Sequence, residues 1–328
     1  MKTKQIKLNN RIMDYSNEIA VCGNENNFIK QIALELSSNG IFSYKDFFGN
    51  LIVSFSKNNK INENSIVFSA HVDEIGIQIQ KVEDEKVYFR GIGTIKTQAL
   101  NNNKVSINNL ETTVFSHSKT LKDYEYNKLY IKKTKDEIFN IGDFGTFCSK
   151  AIFDNDLIKG KALDNRVGCA VLFELALYLH ENDLEENIFV IFSVQEEIGA
   201  RGIQHFSYLN KMKYFISLDA TPVVPENNVL QSRGVCIKLS DGSSFADEVL
   251  FEAFKQIAEN NKIPYQIEVN DLGLTESAFP PLFSQTKSLT ISYPITDMHT
   301  NNSSVDINDV VDTYNLIVKC CKDRNYFL

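Results

Sequence analysis

Acidic and histidine side chains, which can bind metal ions or transfer protons, occur directly after several predicted buried strands or in nearby loops. Glu196 and Glu197 follow the apolar run IFVIFSV (188–194). The others are His71 and Asp73 after IVFSA, Asp219 after KYFISL, His299 in the loop after SLTISYP, and Asp164 in a glycine-flanked turn before a helix. Loops at the carboxyl ends of strands in an open α/β sheet converge on one crevice. We therefore expect these side chains to lie close together.

Two imidazoles and three or four carboxylates form a nitrogen and oxygen ligand set that suits Zn²⁺, Co²⁺ or Mn²⁺. If two ions lie about 3.5–4 Å apart, one carboxylate should bridge them. Each position alone has a plainer interpretation, such as a helix N-cap for Asp164 or a solvated turn for the paired glutamates. The coincidence of these positions at strand ends favours a metal site.

The elements that must position these residues alternate between strands and helices. Helical patterns are predicted over 25–39, 165–182, 243–261 and 306–321, with Asp306 as the N-cap of the last. The predicted strands are NLIVSF, SIVFSAH, NIFVIFSV, KYFISLDA, YQIEV and SLTISY. This alternation predicts an α/β fold, in which helices cover both faces of a mixed sheet.

Residues 75–159 have a different pattern. IGIQIQKVEDEKVYFRGIG is typical of a hairpin, KLYIKK of a further strand, and no long helical pattern occurs. The segment is predicted to be a small β-barrel-like domain. It would be inserted into a discontinuous α/β catalytic domain formed by residues 1–74 and 160–328.

Composition narrows the class of protein. The 328 residues include 42 Asp and Glu against 34 Lys and Arg, a formal net charge of −8, which argues against a nucleic-acid partner. No apolar run has the length of a membrane span, and the start, MKTKQIKLNN, lacks the apolar core of a signal peptide. Six scattered cysteines without a CxxC pair then predict a cytoplasmic protein with reduced thiols.

Four segments together resemble the M42 family of dinuclear metallo-aminopeptidases. This tetrahedral aminopeptidase group includes glutamyl aminopeptidases and proteins described as cellulases. The segments are SAHVDEIGIQI (69–79), GKALDNRVG (160–168), SVQEEIGARG (193–202) and ISLDAT (216–221). The motifs H-x-D-E-I-G, A-L-D-N-R and Q-E-E-x-G follow the family's order, and the likeness extends over nearly the whole chain.

The resemblance implies a set of metal ligands. His71 and Asp219 would bind one divalent ion, Glu197 and His299 would bind a second, and Asp164 would bridge the two. Zn²⁺ and Co²⁺ are the expected ions, and Mn²⁺ is a further candidate.

The resemblance also implies roles for the two remaining acids. Glu196 would be the general base that takes a proton from the attacking water and later gives it to the leaving amine. Asp73 would orient the ring of His71. Adjacent side chains in an extended segment point in different directions, so Glu197 can bind a metal ion while Glu196 reaches the water.

Two segments depart from the family's pattern. TDMHT (296–300) stands where the family often has R-Y-x-H-S, and GLTES (273–277) stands where it has G-G-T-D-A, which places a glutamate at an aspartate position. Both segments are expected near the substrate. The expected substrate contacts are Arg166, Gly273, Thr275 and Glu276.

The function implied by the resemblance is a metal-dependent aminopeptidase that acts on short peptides with a free N-terminus. A deacylase or amidase that uses the same dinuclear site on a small amide is the alternative, and a non-catalytic assembly protein is a third hypothesis. The β-rich insert would help to assemble dimers into a dodecamer. The expected partners are therefore short peptides and further copies of this chain.

Overall fold

The computed structural model describes residues 2–184, 187–271 and 273–322. Its helices are α1 (Lys2–Asn17), α2 (Asn26–Ser38), α3 (Thr97–Leu100), α4 (Leu163–Glu181), α5 (Arg201–Leu209), α6 (Glu248–Asn261), α7 (Pro280–Phe283) and α8 (Ile307–Lys322). None of the helices in these ranges combines the length and apolar character that crossing a membrane requires.

The strands are numbered along the chain. They are β1 (Ser43–Lys45), β2 (Leu51–Phe55), β3 (Ile66–His71), β4 (Gly76–Val82), β5 (Lys86–Ile92), β6 (Lys104–Ile107), β7 (Leu110–Ser116), β8 (Leu129–Lys132), β9 (Phe144–Phe147), β10 (Ile152–Asp154), β11 (Leu157–Gly160), β12 (Ile188–Ser193), β13 (Tyr214–Pro222), β14 (Val235–Ser240), β15 (Tyr265–Val269), β16 (Lys287–Thr296) and β17 (Ser303–Asp306).

One large mixed sheet of 11 strands has the order β1-β2-β12-β3-β13-β16-β17-β11-β10, and β14 pairs with β16 and β15. Its centre is parallel, because β3 pairs in parallel with β12 on one side and with β13 on the other, and β13 also pairs in parallel with β16. Along β12, alternate residues face opposite sides of the sheet. Val190 packs with the core under α4 and α8, and Ile191 packs with the core under α5. The predicted α/β fold with helices on both faces is confirmed.

Strands β4 to β9 close a barrel in the order β4-β5-β8-β7-β6-β9. Its interior is an apolar cluster that includes Ile77, Phe89, Ile107 and Ile131. The predicted insert of 75–159 extends beyond this barrel, because β10 and β11 pair with each other and β11 pairs with β17 of the large sheet.

Helix boundaries follow local hydrogen bonds. The helix predicted over 243–261 begins at Glu248, because the Asp247 side chain accepts hydrogen bonds from the N–H groups of Val249 and Leu250. The predicted cap at Asp306 is confirmed by a bond of 2.8 Å from the N–H of Asn308. Helix α1 was not predicted, since only a few of its positions are apolar.

A buried ion cluster joins the barrel to the sheet. Glu74 lies between β3 and β4, and its carboxylate accepts hydrogen bonds from Lys161 Nζ at 2.8 Å and Thr146 Oγ1 of β9 at 2.8 Å. Arg166 Nη2 lies 3.3 Å from the same carboxylate. Burial opposes the charged form of Glu74, yet Lys161 and Arg166 hold its pKa below the usual range. The cluster thus pairs the buried carboxylate of Glu74 with two buried cations, and Arg166 Nε remains without a hydrogen-bond partner.

We expect Glu74→Gln to destabilise the protein, because it leaves two buried cations without their carboxylate. Breaking a buried ion pair costs about 3–5 kcal/mol, so the free energy of unfolding in urea at pH 7 should fall by that order. Glu83→Gln is the matched control, since the pair of Glu83 with Lys81 is exposed, and it should leave the value within error. Equal effects of the two variants would contradict this account.

Candidate metal centre

The carboxylate of Asp164 lies between two histidines that come from distant parts of the chain. His71 ends β3, Asp164 lies in the first turn of α4, and His299 lies in the loop between β16 and β17. His71 Nε2 is 3.1 Å from Asp164 Oδ1, and His299 Nε2 is 3.1 Å from Asp164 Oδ2. Each carboxylate oxygen therefore faces one imidazole.

A further carboxylate accompanies each histidine. Asp219 Oδ1 of β13 is 3.6 Å from His71 Nε2, and Glu197 Oε1 is 3.7 Å from His299 Nε2. In each set of three residues, which share Asp164, the possible ligand atoms lie within 4.8 Å of one another. The structure thus brings together the five ligands expected from the sequence as two sets with one common carboxylate.

The chemistry of these residues fits divalent cations. Glu197 Oε1 is buried and has no hydrogen-bond partner, a costly state for a carboxylate oxygen. Imidazole nitrogens and carboxylate oxygens are suitable ligands for Zn²⁺ and similar ions, and a shared carboxylate is typical of two-ion sites. A cation in the set with His299 would satisfy the unpartnered oxygen.

The ionisation of the site reflects crowded charges. Burial and the nearby Asp164 raise the pKa of Glu197 to about 8. Burial disfavours the charged form of His299, but Glu197 and Asp164 outweigh it and raise its pKa to about 9. The desolvation of Asp164 is outweighed by hydrogen bonds from His299 and His71, which hold its pKa below the usual range. Without a cation, protons therefore balance part of the negative charge.

Asp73 organises the turn that carries the two glutamates. Its side chain is fully buried, and its two oxygens accept hydrogen bonds from the N–H groups of Glu196 and Glu197, both at 3.0 Å. His71 Nδ1 lies 3.2 Å from the backbone carbonyl oxygen of Asp73 and 3.6 Å from Asp73 Oδ1. The carboxylate of Asp73 thus holds the backbone from which both glutamate side chains project, a contact separate from the expected one with His71. No sequence pattern indicates this second contact.

Glu196 lies beside the ligands without belonging to either set. Its Oε2 is 4.0 Å from His71 Nε2, and the side chain lines the cavity. Burial, together with nearby carboxylates such as Asp219, raises its pKa well above the usual range. A buried carboxyl group at this position can exchange a proton with a group in the cavity.

A cavity of about 520 Å³ lies over the two ligand sets. Gly273 and Thr275, two of the expected substrate contacts, line its wall together with Thr94, Lys238 and Met298. The cavity therefore places the GLTES segment and part of TDMHT beside the candidate metal centre.

Arg166 and Glu276, the other two expected substrate contacts, are buried away from the cavity wall. Arg166 is fully buried, and its Nη1 donates to the carbonyl of Tyr15 at 2.7 Å. Glu276 accepts hydrogen bonds from Ser69 Oγ at 2.6 Å and from Ser193 Oγ. Because these bonds hold both side chains inside the protein, we do not retain either as a substrate contact.

Comparisons with known proteins agree with this architecture. Residues 49–316 match the sequence model of the M42 glutamyl aminopeptidase family. A protein of Acetivibrio thermocellus, provisionally named an aminopeptidase, is 28% identical over 325 residues, which cover 92% of this chain and 94% of that protein.

Solved structures of peptidases are also similar to this chain over nearly its whole length. The TET1 peptidase of Pyrococcus horikoshii, described as able to assemble into a tetrahedron or a large octahedral shell, is 25% identical with a TM-score of 0.85. That match covers 96% of this chain and 99% of the peptidase. A PhTET1 dodecamer gives a TM-score of 0.85 at 26% identity, covering 95% of this chain and 98% of the other.

We expect the affinity for Zn²⁺ or Co²⁺ to rise with pH. Glu197 and His299 hold protons near pH 7 in the metal-free protein, and a cation must displace them to bind. Between pH 6 and 8 the apparent affinity should rise by about tenfold or more per pH unit. Titration against a competing chelator of known pH dependence measures it, and an affinity that does not change with pH would contradict the assignment.

Proposed function

We propose that this chain removes N-terminal residues from short peptides at a dinuclear metal site. The proposal proceeds from the family, because the chain belongs to the M42 glutamyl aminopeptidase family and is a metal-dependent aminopeptidase. The observation that carries the proposal is the Asp164 carboxylate, which is shared by two sets of histidine and carboxylate ligands. A single set would suit one ion, and a carboxylate with one oxygen directed at each set suits two.

The five ligands divide between the two ions. His71 and Asp219 would hold one, Glu197 and His299 the other, and Asp164 both. Bound divalent cations would polarise the scissile carbonyl and lower the pKa of water toward about 7. We propose Zn²⁺ or Co²⁺, with Mn²⁺ as a further candidate, because the ligands are nitrogen and oxygen atoms without a thiolate.

Glu196 is proposed as the general base. Its carboxyl group lines the cavity close to His71, and the bond from its N–H to Asp73 fixes its backbone. As an anion it accepts a proton from the attacking water, and its raised pKa favours holding that proton until the leaving amine takes it. Glu197, directed at His299, cannot serve both sides of the site.

The cavity supports small substrates. Its volume of about 520 Å³ lies within the range of roughly 300–1,000 Å³ that is usual for small-molecule sites. Gly273 and Thr275 are proposed to contact the peptide, since both line the cavity on the side of GLTES. The terminal residues of a short peptide fit this volume.

We also propose that the chain forms homo-oligomers built from dimers, up to a dodecamer. The support is the likeness to the Pyrococcus horikoshii TET1 peptidase and the PhTET1 dodecamer, which extends over nearly the whole chain. A cytoplasmic location is proposed from the six cysteines, which are scattered along the sequence without a CxxC pair, a pattern that we expect of a protein in a reducing compartment.

Metal-loaded protein should release single N-terminal residues from short peptides with a free amine, and a chelator should stop the release. The same peptides with an acetylated N-terminus should remain intact. Mass spectrometry of the products measures both reactions. Removal of the acetyl group would instead establish the deacylase alternative, and cleavage of neither set would contradict the proposed function.

Glu196→Gln should lower kcat by at least about 100-fold, because an amide cannot accept the proton. The metal content, measured by elemental analysis, should remain that of the wild-type protein. Glu197→Gln is the matched control one residue along, and we expect it to lose metal. A loss of metal from Glu196→Gln would mean that the two glutamates have the opposite roles.

A further inference from the structure

We infer that the barrel contributes directly to the metal centre, through Thr94 as a positioning residue for the ring of His299. This inference rests on the proposed dinuclear site. Thr94 follows β5 and lines the cavity, and its Oγ1 lies 2.7 Å from His299 Nδ1. The two residues are 205 positions apart in the chain, so only the docking of the barrel brings them together.

The contact determines which nitrogen of His299 faces the ligands. Nε2 lies 3.1 Å from Asp164 Oδ2, so it is the nitrogen that would bind a cation in its unprotonated form. Nδ1 then carries the proton and donates it in a hydrogen bond to Thr94 Oγ1. A partner at the second ring nitrogen fixes the tautomer and the orientation of a metal-binding histidine.

The position of the His299 ring depends more on contacts from other segments than the position of the His71 ring does. His71 ends a central strand, and its Nδ1 lies 3.2 Å from the backbone carbonyl oxygen of Asp73. His299 lies in the loop between β16 and β17 with φ of +64°, a left-handed conformation that a non-glycine residue keeps only when its surroundings hold it there. The hydroxyl of Thr94 supplies such a contact.

Two further contacts join the barrel to this half of the site. Asn301 Nδ2 donates to Asn103 Oδ1, just before β6 of the barrel, at 3.2 Å, which connects the loop of His299 to the barrel at a second point. Gly93, with φ of +70°, packs so closely that a Cβ there would lie 3.1 Å from Glu197 Oε2. The barrel therefore contacts both ligands that are specific to the second ion.

The ion held with His71 and Asp219 depends on other contacts. Those residues lie on β3 and β13, which pair in the large sheet. A change at Thr94 should therefore weaken one ion selectively and leave the other unchanged. This asymmetry separates a positioning role from a general loss of structure.

The test is a metal titration of Thr94→Val, which keeps the shape of the side chain and removes its hydroxyl. We expect one equivalent of Co²⁺ to bind with wild-type affinity and the second to bind about 10–100-fold more weakly. The visible absorption of the second Co²⁺ should change as well. Thr94→Ser should restore both properties, and Thr113→Val on β7 of the barrel should behave as the wild type.

The outcomes distinguish the alternatives. Wild-type affinities and Co²⁺ absorption in Thr94→Val would overturn the inference, and so would a Thr94→Ser variant as weak as Thr94→Val. If Thr94→Val does not fold, as judged by circular dichroism, Thr94→Ala takes its place in the same comparison. A wild-type protein that binds one ion would also overturn the inference. The titration needs no peptide, so two bound ions without peptidase activity would contradict the proposed function alone.

Discussion

The carboxylate of Asp164 is the group on which the rest of the site depends. Its two oxygens each lie 3.1 Å from the Nε2 of a different histidine, and charge-assisted bonds of this kind are among the stronger ones in proteins. The geometry places His71 and His299 on opposite sides of one anion, although they belong to different elements. A shift of Asp164 would separate the two ligand sets. Neither set alone explains why one carboxylate lies between two histidines.

The register of the central strands determines where the proposed ligands lie along the strand direction. His71 pairs with Ser193 across β3 and β12, which places the turn with Glu196 just beyond the sheet. The pairing of β3 with β13 ends at Ser69 and Ser217. His71 and Asp219 therefore both lie two residues beyond the last paired residues of β3 and β13. Backbone hydrogen bonds no longer join the two strands there, so a cavity can form between them.

The sequence predicts the sheet, the barrel and the acidic and histidine residues that lie together beside the cavity, because buried strands and the residues after them leave a clear local pattern. Contacts between distant segments leave none. Glu276 was expected beside the substrate, yet two serine hydroxyls hold it inside the protein. The hydrogen bond between Thr94 and His299 depends on how the barrel packs against the sheet. No periodic pattern in the sequence predicts that packing.

A crystal structure of the Co²⁺-loaded protein, with anomalous diffraction at the cobalt edge, tests the central claim most directly. The account predicts two anomalous peaks about 3.5–4 Å apart, with one oxygen of Asp164 on each. His71 and Asp219 should bind one ion, and Glu197 and His299 the other. A single peak, or two peaks of which only one contacts Asp164, would contradict the account.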